Sequence, residues 1–147
     1  MQERFQMFTV LIAKISRSIR RIKTEEMAEF GLKSPHVSCL YYLYKAESLT
    51  AKELCDICEE DKAAISRSIE YLESAGYIVC ASKAHKRYRA PLELSEKGKL
   101  AGERIVGKID RILEQASEGL SEADRVTMYQ SLSLISDNLQ SICEAYD

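Results

Sequence analysis

The chain has 147 residues, of which 46% are hydrophobic and 30% charged, and its formal net charge is −2. That length suits one compact domain with a real core, and the composition is that of a soluble globular protein. No apolar run approaches the roughly 20 residues that a membrane-spanning helix needs, and the opening MQERFQMF lacks the basic-then-apolar pattern of a secretion signal. The mildly acidic balance argues against indiscriminate binding to nucleic acid, and the expected location is the cytoplasm.

Residues 3–30 predict a long helix. In it Phe5, Phe8, Ile12, Ile15, Ile19 and Ile22 step by 3, 4, 3, 4 and 3, the seam spacing of helix-on-helix packing. Gly31 is placed to end it. Ser34 and Pro35 open a second helix, Ser34 as the cap and Pro35 at the first helical position, where a missing donor does no harm. Val37, Leu40, Tyr41, Leu43 and Tyr44 supply its buried side through about Lys45.

Thr50-Ala51-Lys52-Glu53 is a capping box for a third helix, with Leu54, Ile57 and Cys58 facing inward. Asp61 caps a fourth, whose core positions are Ile65, Ile69 and Leu72. Lys62, Ala63, Ser66, Arg67 and Glu70 are then left outward, and Gly76 ends the helix. Residues 77–81 and 89–94 are short strand candidates around a basic tip at residues 82–88, so Pro91 needs a position such as an edge strand. Ser95 starts a fifth helix that runs to about Glu118. Ser121-Glu122-Ala123-Asp124 caps a sixth, where Met128, Leu132, Ile135, Leu139, Ile142 and Tyr146 form a second seam.

Two short helices joined by a tight turn, then a Gly, a strand, a basic tip, a strand and a new helix start make a winged helix-turn-helix. The expected fold is mainly α, with about six helices and a small two- or three-stranded β-wing. Residues 34–98 form the lobe, and residues 3–30 and 99–147 are flanking dimerisation helices. The shape sets one helix in a DNA major groove and lays a hairpin beside it.

Charge follows the same division. Lys83, Lys86, Arg87 and Arg89 cluster with His85, Lys14, Arg17, Arg20, Arg21 and Lys23 make a second basic run, and acids dominate the C-terminal part. An acidic body with a basic edge suits a protein that meets DNA on one side. The other reading, solvated helix faces, applies more to residues 14–23 than to the wing. One small winged lobe cannot bury both seams, so Phe5, Phe8, Ile12, Leu132, Ile135, Leu139 and Ile142 are expected to meet a second copy. The alternative is a monomer that packs both seams inside.

The segment DKAAISRSIEYLESAGYI (residues 61–78), followed at the right distance by LSEKG (residues 94–98), resembles the MarR family of bacterial transcriptional regulators. The resemblance runs over nearly the whole chain. It implies a homodimer on double-stranded DNA with a pseudo-palindromic operator, most simply a repressor. Helix four would enter the major groove. Ala63 and Ala64 would permit close approach, Ser66 and Arg67 would contact bases or backbone, and Lys62 would hold phosphate. Arg87 would reach the minor groove, with Lys83, Lys86 and Arg89 on phosphates.

The resemblance also implies release by a small aromatic or phenolic effector, in a crevice near helices one, two and five. Ile15, Arg17, Ile19, His36, Leu40 and Tyr41 are its candidate lining, although each is also an ordinary core or surface residue. Two departures stand out. Lys86 and Lys83 occupy places where the family wing carries acids, so the usual acid–arginine brace is missing, and His36 stands where Gln is common.

Rival functions find less support. The five cysteines are scattered and odd in number, which argues against a disulfide framework. Cys55 and Cys58 form a C-x-x-C, but Asp56, Glu59, Glu60 and Asp61 around them would raise a thiol pKa. Buried small hydrophobes are therefore the expected role of these two and of Cys39, Cys80 and Cys143, and a redox-responsive regulator is the alternative, with Cys80 as the cysteine to test. Two distant histidines and one C-x-x-C do not make a closed zinc site, and no cofactor is expected. The chain has neither a phosphate-binding Gly loop nor a G-x-S-x-G, so it is expected not to be an enzyme. A winged-helix module for protein contacts, without specific DNA binding, is the last alternative.

Overall fold

A computed structural model describes residues 3–80 and 90–147. Six α-helices and a three-stranded sheet are found among them: α1 (Leu11–Glu26), α2 (Ser34–Ala46), β1 (Ser48–Thr50), α3 (Ala51–Ile57), α4 (Lys62–Ser74), β2 (Ile78–Cys80), β3 (Pro91–Leu94), α5 (Glu96–Ala116) and α6 (Glu122–Glu144). The predicted first helix is real but not uniform. A wide π-type stretch, Gln6–Val10, precedes α1, and a 3-10 turn, Ala28–Phe30, follows it. Gly31 then takes a left-handed φ of 67° and ends the segment, as its lack of a Cβ allows.

The chain divides into a larger unit, Met1–Ile109, and a smaller one, Asp110–Asp147. The break falls inside α5. The larger unit has α2 at its centre. Val37, Ser38, Cys39 and Leu40 are buried in succession there, so this turn of the helix is covered on every side. Leu43, Leu54, Ile65, Leu72, Ile78, Leu92 and Ile105 complete the core around it. Two residues assigned to the core lie outside it: Tyr44 is exposed at the end of α2, and Ile57 is 47% exposed. Ile57 is the last residue of α3, and Cys58 one position on leaves the helix in an extended conformation and packs inward instead.

The second helix is capped differently from the sequence expectation. Lys33 is the cap, Ser34 is already helical, and the Lys33 N–H donates to His36 Nδ1 at 3.1 Å. Ser34 Oγ is buried and has no hydrogen-bond partner among the described residues.

The sheet order is β1-β3-β2, antiparallel throughout, with Leu49 opposite Leu92 and Val79 opposite Glu93. Pro91 is thus on the central strand and not on an edge. It is the first residue of β3, where a missing N–H is tolerated. The smaller unit comprises the end of α5 and all of α6. Ser121 Oγ caps α6 by accepting from the Asp124 N–H at 3.0 Å. On α6, Leu132, Leu139, Ile142 and Tyr146 are exposed, while Met128 and Ile135 are half-buried. Among the described residues no helix is long and apolar enough to cross a membrane.

Candidate nucleic-acid interface

Local chemistry fixes the helix-turn-helix. Thr50 Oγ1 accepts from the Glu53 N–H at 3.1 Å, and Glu53 Oε2 accepts from the Thr50 N–H at 3.0 Å, a complete capping box. Asp61 Oδ1 accepts from the Ala64 N–H at 2.7 Å and opens α4. At the far end Gly76 has φ 83°. Its N–H donates to the Glu73 carbonyl at 3.1 Å, and that of Tyr77 donates to the Leu72 carbonyl at 2.8 Å. This is the Schellman pattern, and it turns the chain sharply into β2.

The start of α5 is fastened to that same corner. The Ser95 N–H donates to the Tyr77 carbonyl (3.0 Å), Ser95 Oγ donates to the Gly76 carbonyl, and Lys97 Nζ donates to the Ala75 carbonyl (2.7 Å). Gly98 sits so close that a Cβ there would stand 1.9 Å from the Tyr77 carbonyl oxygen. The end of α4 is therefore held by a second helix as well as by its own cap.

These constraints leave one face of α4 open. Lys62, Ala63, Ser66, Arg67 and Glu70 are exposed and Ala64 is half-buried, while Ile65, Ser68 and Leu72 are buried and Ile69 packs against the core. The polar face is the one the 3.6-residue period predicts. Small Ala63 precedes Ser66 and Arg67 by about one turn, and all three are exposed. The wing residues Lys83, Lys86, Arg87 and Arg89 lie outside the described residues.

The second basic run is partly committed to the fold, which the sequence reading missed. Lys23 is only 7% exposed. Its Nζ donates to Ser38 Oγ (2.9 Å) and to Glu59 Oε1, and Ser38 Oγ donates to the same Glu59 oxygen at 2.6 Å. Burial pushes the Glu59 carboxyl up. The hydrogen bonds from Lys23 and Ser38 outweigh burial and hold it below the ordinary carboxylate value. One helical turn away, Arg20 pairs with Glu60 at 3.3 Å. Glu60 is nearly buried, and its other oxygen has no hydrogen-bond partner among the described residues. The available signal was positional: Lys23 lies four residues past Ile19 on the seam, and Glu59-Glu60 stand just before the Asp61 cap.

The residues proposed for an effector crevice are spread out. Ile15, Arg17 and Ile19 are exposed on α1, whereas Leu40 is fully buried in the core. His36 is half-buried, caps α2 and stacks on Tyr71 of α4 with ring centroids 4.4 Å apart. Burial, then the nearby Lys33 charge, lowers its pKa. Tyr41 is half-buried and meets Tyr42 edge-on. A cleft of about 690 Å³ lies elsewhere in this unit, lined by Leu43, Tyr44, Glu47, Ser48, Glu93, Leu94 and Lys99. None of the six candidates lines it.

Cys39, Cys55, Cys58 and Cys143 are free thiols. A hydrogen bond with Cys58 and then burial push the Cys39 thiol up, and burial followed by Cys58 does so for Cys55. Cys39 is thus a buried small hydrophobe as expected, whereas Cys55 and Cys58 are half-buried and Cys143 is exposed, contrary to that reading; the raised values leave Cys39 and Cys55 little thiolate to react.

The helix-turn-helix, its open polar face and the antiparallel sheet beside it define a winged helix-turn-helix protein. The sequence model of the MarR family matches residues 30–87. No curated protein matches the chain in sequence. Solved structures match its fold. A MarR family regulator from Neisseria meningitidis, NMB1585, aligns at TM-score 0.84 and 14% identity, over 99% of this chain and 100% of that one. The Staphylococcus aureus MepR–DNA complex aligns at 0.79 and 19%, over 93% and 99%. The organohalide-sensing regulator RdhR-CbdbA1625, bound to 2,4-dichlorophenol, aligns at 0.76 and 19%, over 92% and 81%. Residues 30–87 are thus similar to the MarR family model, in a chain whose fold is shared with solved MarR family regulators.

Proposed function

We propose that this chain is a sequence-specific, double-stranded DNA-binding transcriptional regulator. It acts in the cytoplasm as a homodimer on a pseudo-palindromic operator, most simply as a repressor. The observation that carries the proposal is the open face of α4. Lys62, Ala63, Ser66 and Arg67 are exposed on a helix whose two ends are both pinned. Rigid placement matters because a base contact needs a defined donor geometry. Arg67 supplies a fork for guanine O6 and N7, Ser66 bonds a base or phosphate, and the alanines permit close approach. Lys83, Lys86, Arg87 and Arg89 add phosphate and minor-groove contacts.

Dimerisation rests on exposed apolar surface. Phe5, Phe8 and Ile12 in the larger unit, and Leu132, Leu139 and Ile142 in the smaller, are each at least 40% exposed, and Ile135 is half-buried beside the last three. Rows of this kind meet a partner more often than water. For the effector, the dichlorophenol-bound relative supports a small phenol as the class to try first. Arg17, exposed on α1 beside Ile15 and Ile19, is the cation available to it.

Replacing Arg67 with Ala is expected to cost about 1–3 kcal/mol of specific binding if the contact is a base. If it is a phosphate, affinity falls for all sequences and the salt slope drops by about one. Titration of one duplex at several salt concentrations separates these. Parental affinity at every salt concentration would remove Arg67 from the interface.

A further inference from the structure

Buried lysines are rare unless paired, and Lys23 is buried with its ammonium on Ser38 and Glu59. Three elements meet there: α1 through Lys23, α2 through Ser38, and the turn between α3 and α4 through Glu59. Arg20 and Glu60 repeat the link one turn of α1 further back. Glu59 and Glu60 immediately precede Asp61, whose carboxylate fixes the first turn of α4. The helix carrying Lys62, Ala63, Ser66 and Arg67 is therefore tied at its N-terminus to α1, and at its C-terminus to α5 through Ser95 and Lys97.

We propose that Lys23 and Glu59 are positioning residues for DNA recognition. They aim the N-terminal turn of α4 by fastening the helix-turn-helix turn to α1. This deepens the reading of the chain as a DNA-binding regulator and rests on it. The pair does not touch DNA: Lys23 is inside the protein, and Glu59 would repel phosphate. Its effect passes through α4. It also means that any rigid-body shift of α1 reaches the recognition helix through these side chains, whatever causes the shift.

Charge burial makes stability and positioning separable. A buried ion pair replaced by uncharged groups of similar volume is often neutral for stability, because desolvation offsets the attraction. The variant Lys23→Met/Glu59→Gln keeps the shape of both side chains and removes both charges. Lys23→Met alone serves as a second variant: it removes the buried ammonium and leaves Glu59, whose side chain is 47% exposed, as a solvated carboxylate.

Full-length parent and variants are compared on a duplex enriched by the parent from a randomised library, together with amide hydrogen exchange. The expected result is a parental melting temperature with about tenfold weaker binding. The salt slope stays unchanged and amides 61–66 exchange faster. Parental affinity would overturn the proposal, whatever the exchange shows. A salt slope lower by one would overturn it too, since Lys23 would then be a phosphate contact. Should the parent enrich no duplex, the regulator reading fails on its own. Exchange at residues 61–66 alone then decides whether the pair holds the turn.

Discussion

Gly98 offers a sharp test of how α5 braces the recognition helix. In most helices, replacing an interior Gly by Ala is stabilising by about 1 kcal/mol, because Ala loses less backbone freedom. At Gly98 the new Cβ would lie 1.9 Å from the Tyr77 carbonyl oxygen and 3.2 Å from Leu94 Cβ. The oxygen belongs to the backbone and cannot rotate away, so α5 and the Tyr77 peptide must separate by about 1 Å. Overpacking of this kind costs about 1–3 kcal/mol. Separation also weakens the Ser95 N–H bond to the same oxygen, worth about 1 kcal/mol. Allowing for the propensity gain, Gly98→Ala is expected to destabilise by about 1–3 kcal/mol. For a chain of this size that is a fall in Tm of roughly 3–10 °C.

Gly107, also within α5, meets nothing within 4 Å, so Gly107→Ala is the control and should raise the Tm slightly. Both variants should be melted at one protein concentration, because subunit association adds a concentration-dependent term. A Gly98→Ala protein as stable as the Gly107→Ala control would show that α5 does not rest on the Tyr77 carbonyl.

Three further outcomes are expected. Asp61→Ala removes the cap bond to the Ala64 N–H; it should cost about 1 kcal/mol in urea unfolding, and no loss would mean that α4 opens by another route. His36 is held neutral in the fold, with its pKa below the ordinary 6.5. Its contribution is therefore complete above about pH 6.5 and is lost as the pH falls through the lower folded value, when Nδ1 can no longer accept the Lys33 N–H. Parental stability should decline from pH 7 to 5 more steeply than that of His36→Gln, and parallel curves would refute the assignment. A double Leu132→Arg/Leu139→Arg variant should sediment as a 16.7 kDa monomer while the parent sediments at twice that mass; a parental monomer would remove the dimer.

How much of this was legible in the sequence depends on where the partners lie. Thr50, Asp61 and Ser121 bond amides three residues ahead, so their caps could be read from local pattern. The outward face of α4 follows from one period. What failed was of two kinds. Near helix ends the period stops applying: Ile57 closes a seven-residue helix and faces out, and α2 starts one residue early, with Lys33 at the cap position and its N–H donating to His36. Elsewhere the partners are distant in sequence. β1 is three residues with no alternation, visible only through its pairing with β3, and it puts Pro91 on the central strand. Lys23 looked like one more surface cation because Ser38 and Glu59 are 15 and 36 residues away. Gly98 matched a family pattern, but its reason, a carbonyl 21 residues earlier in the chain, is a fact of packing.

The most direct test of the account is selection from a randomised duplex library at about 150 mM salt, where charge alone binds weakly. A homodimeric reader with the open α4 face described above predicts enrichment of an inverted repeat, its half-sites centred about one turn, roughly 34 Å, apart. Binding that stays weak, depends steeply on salt and enriches no sequence would contradict it.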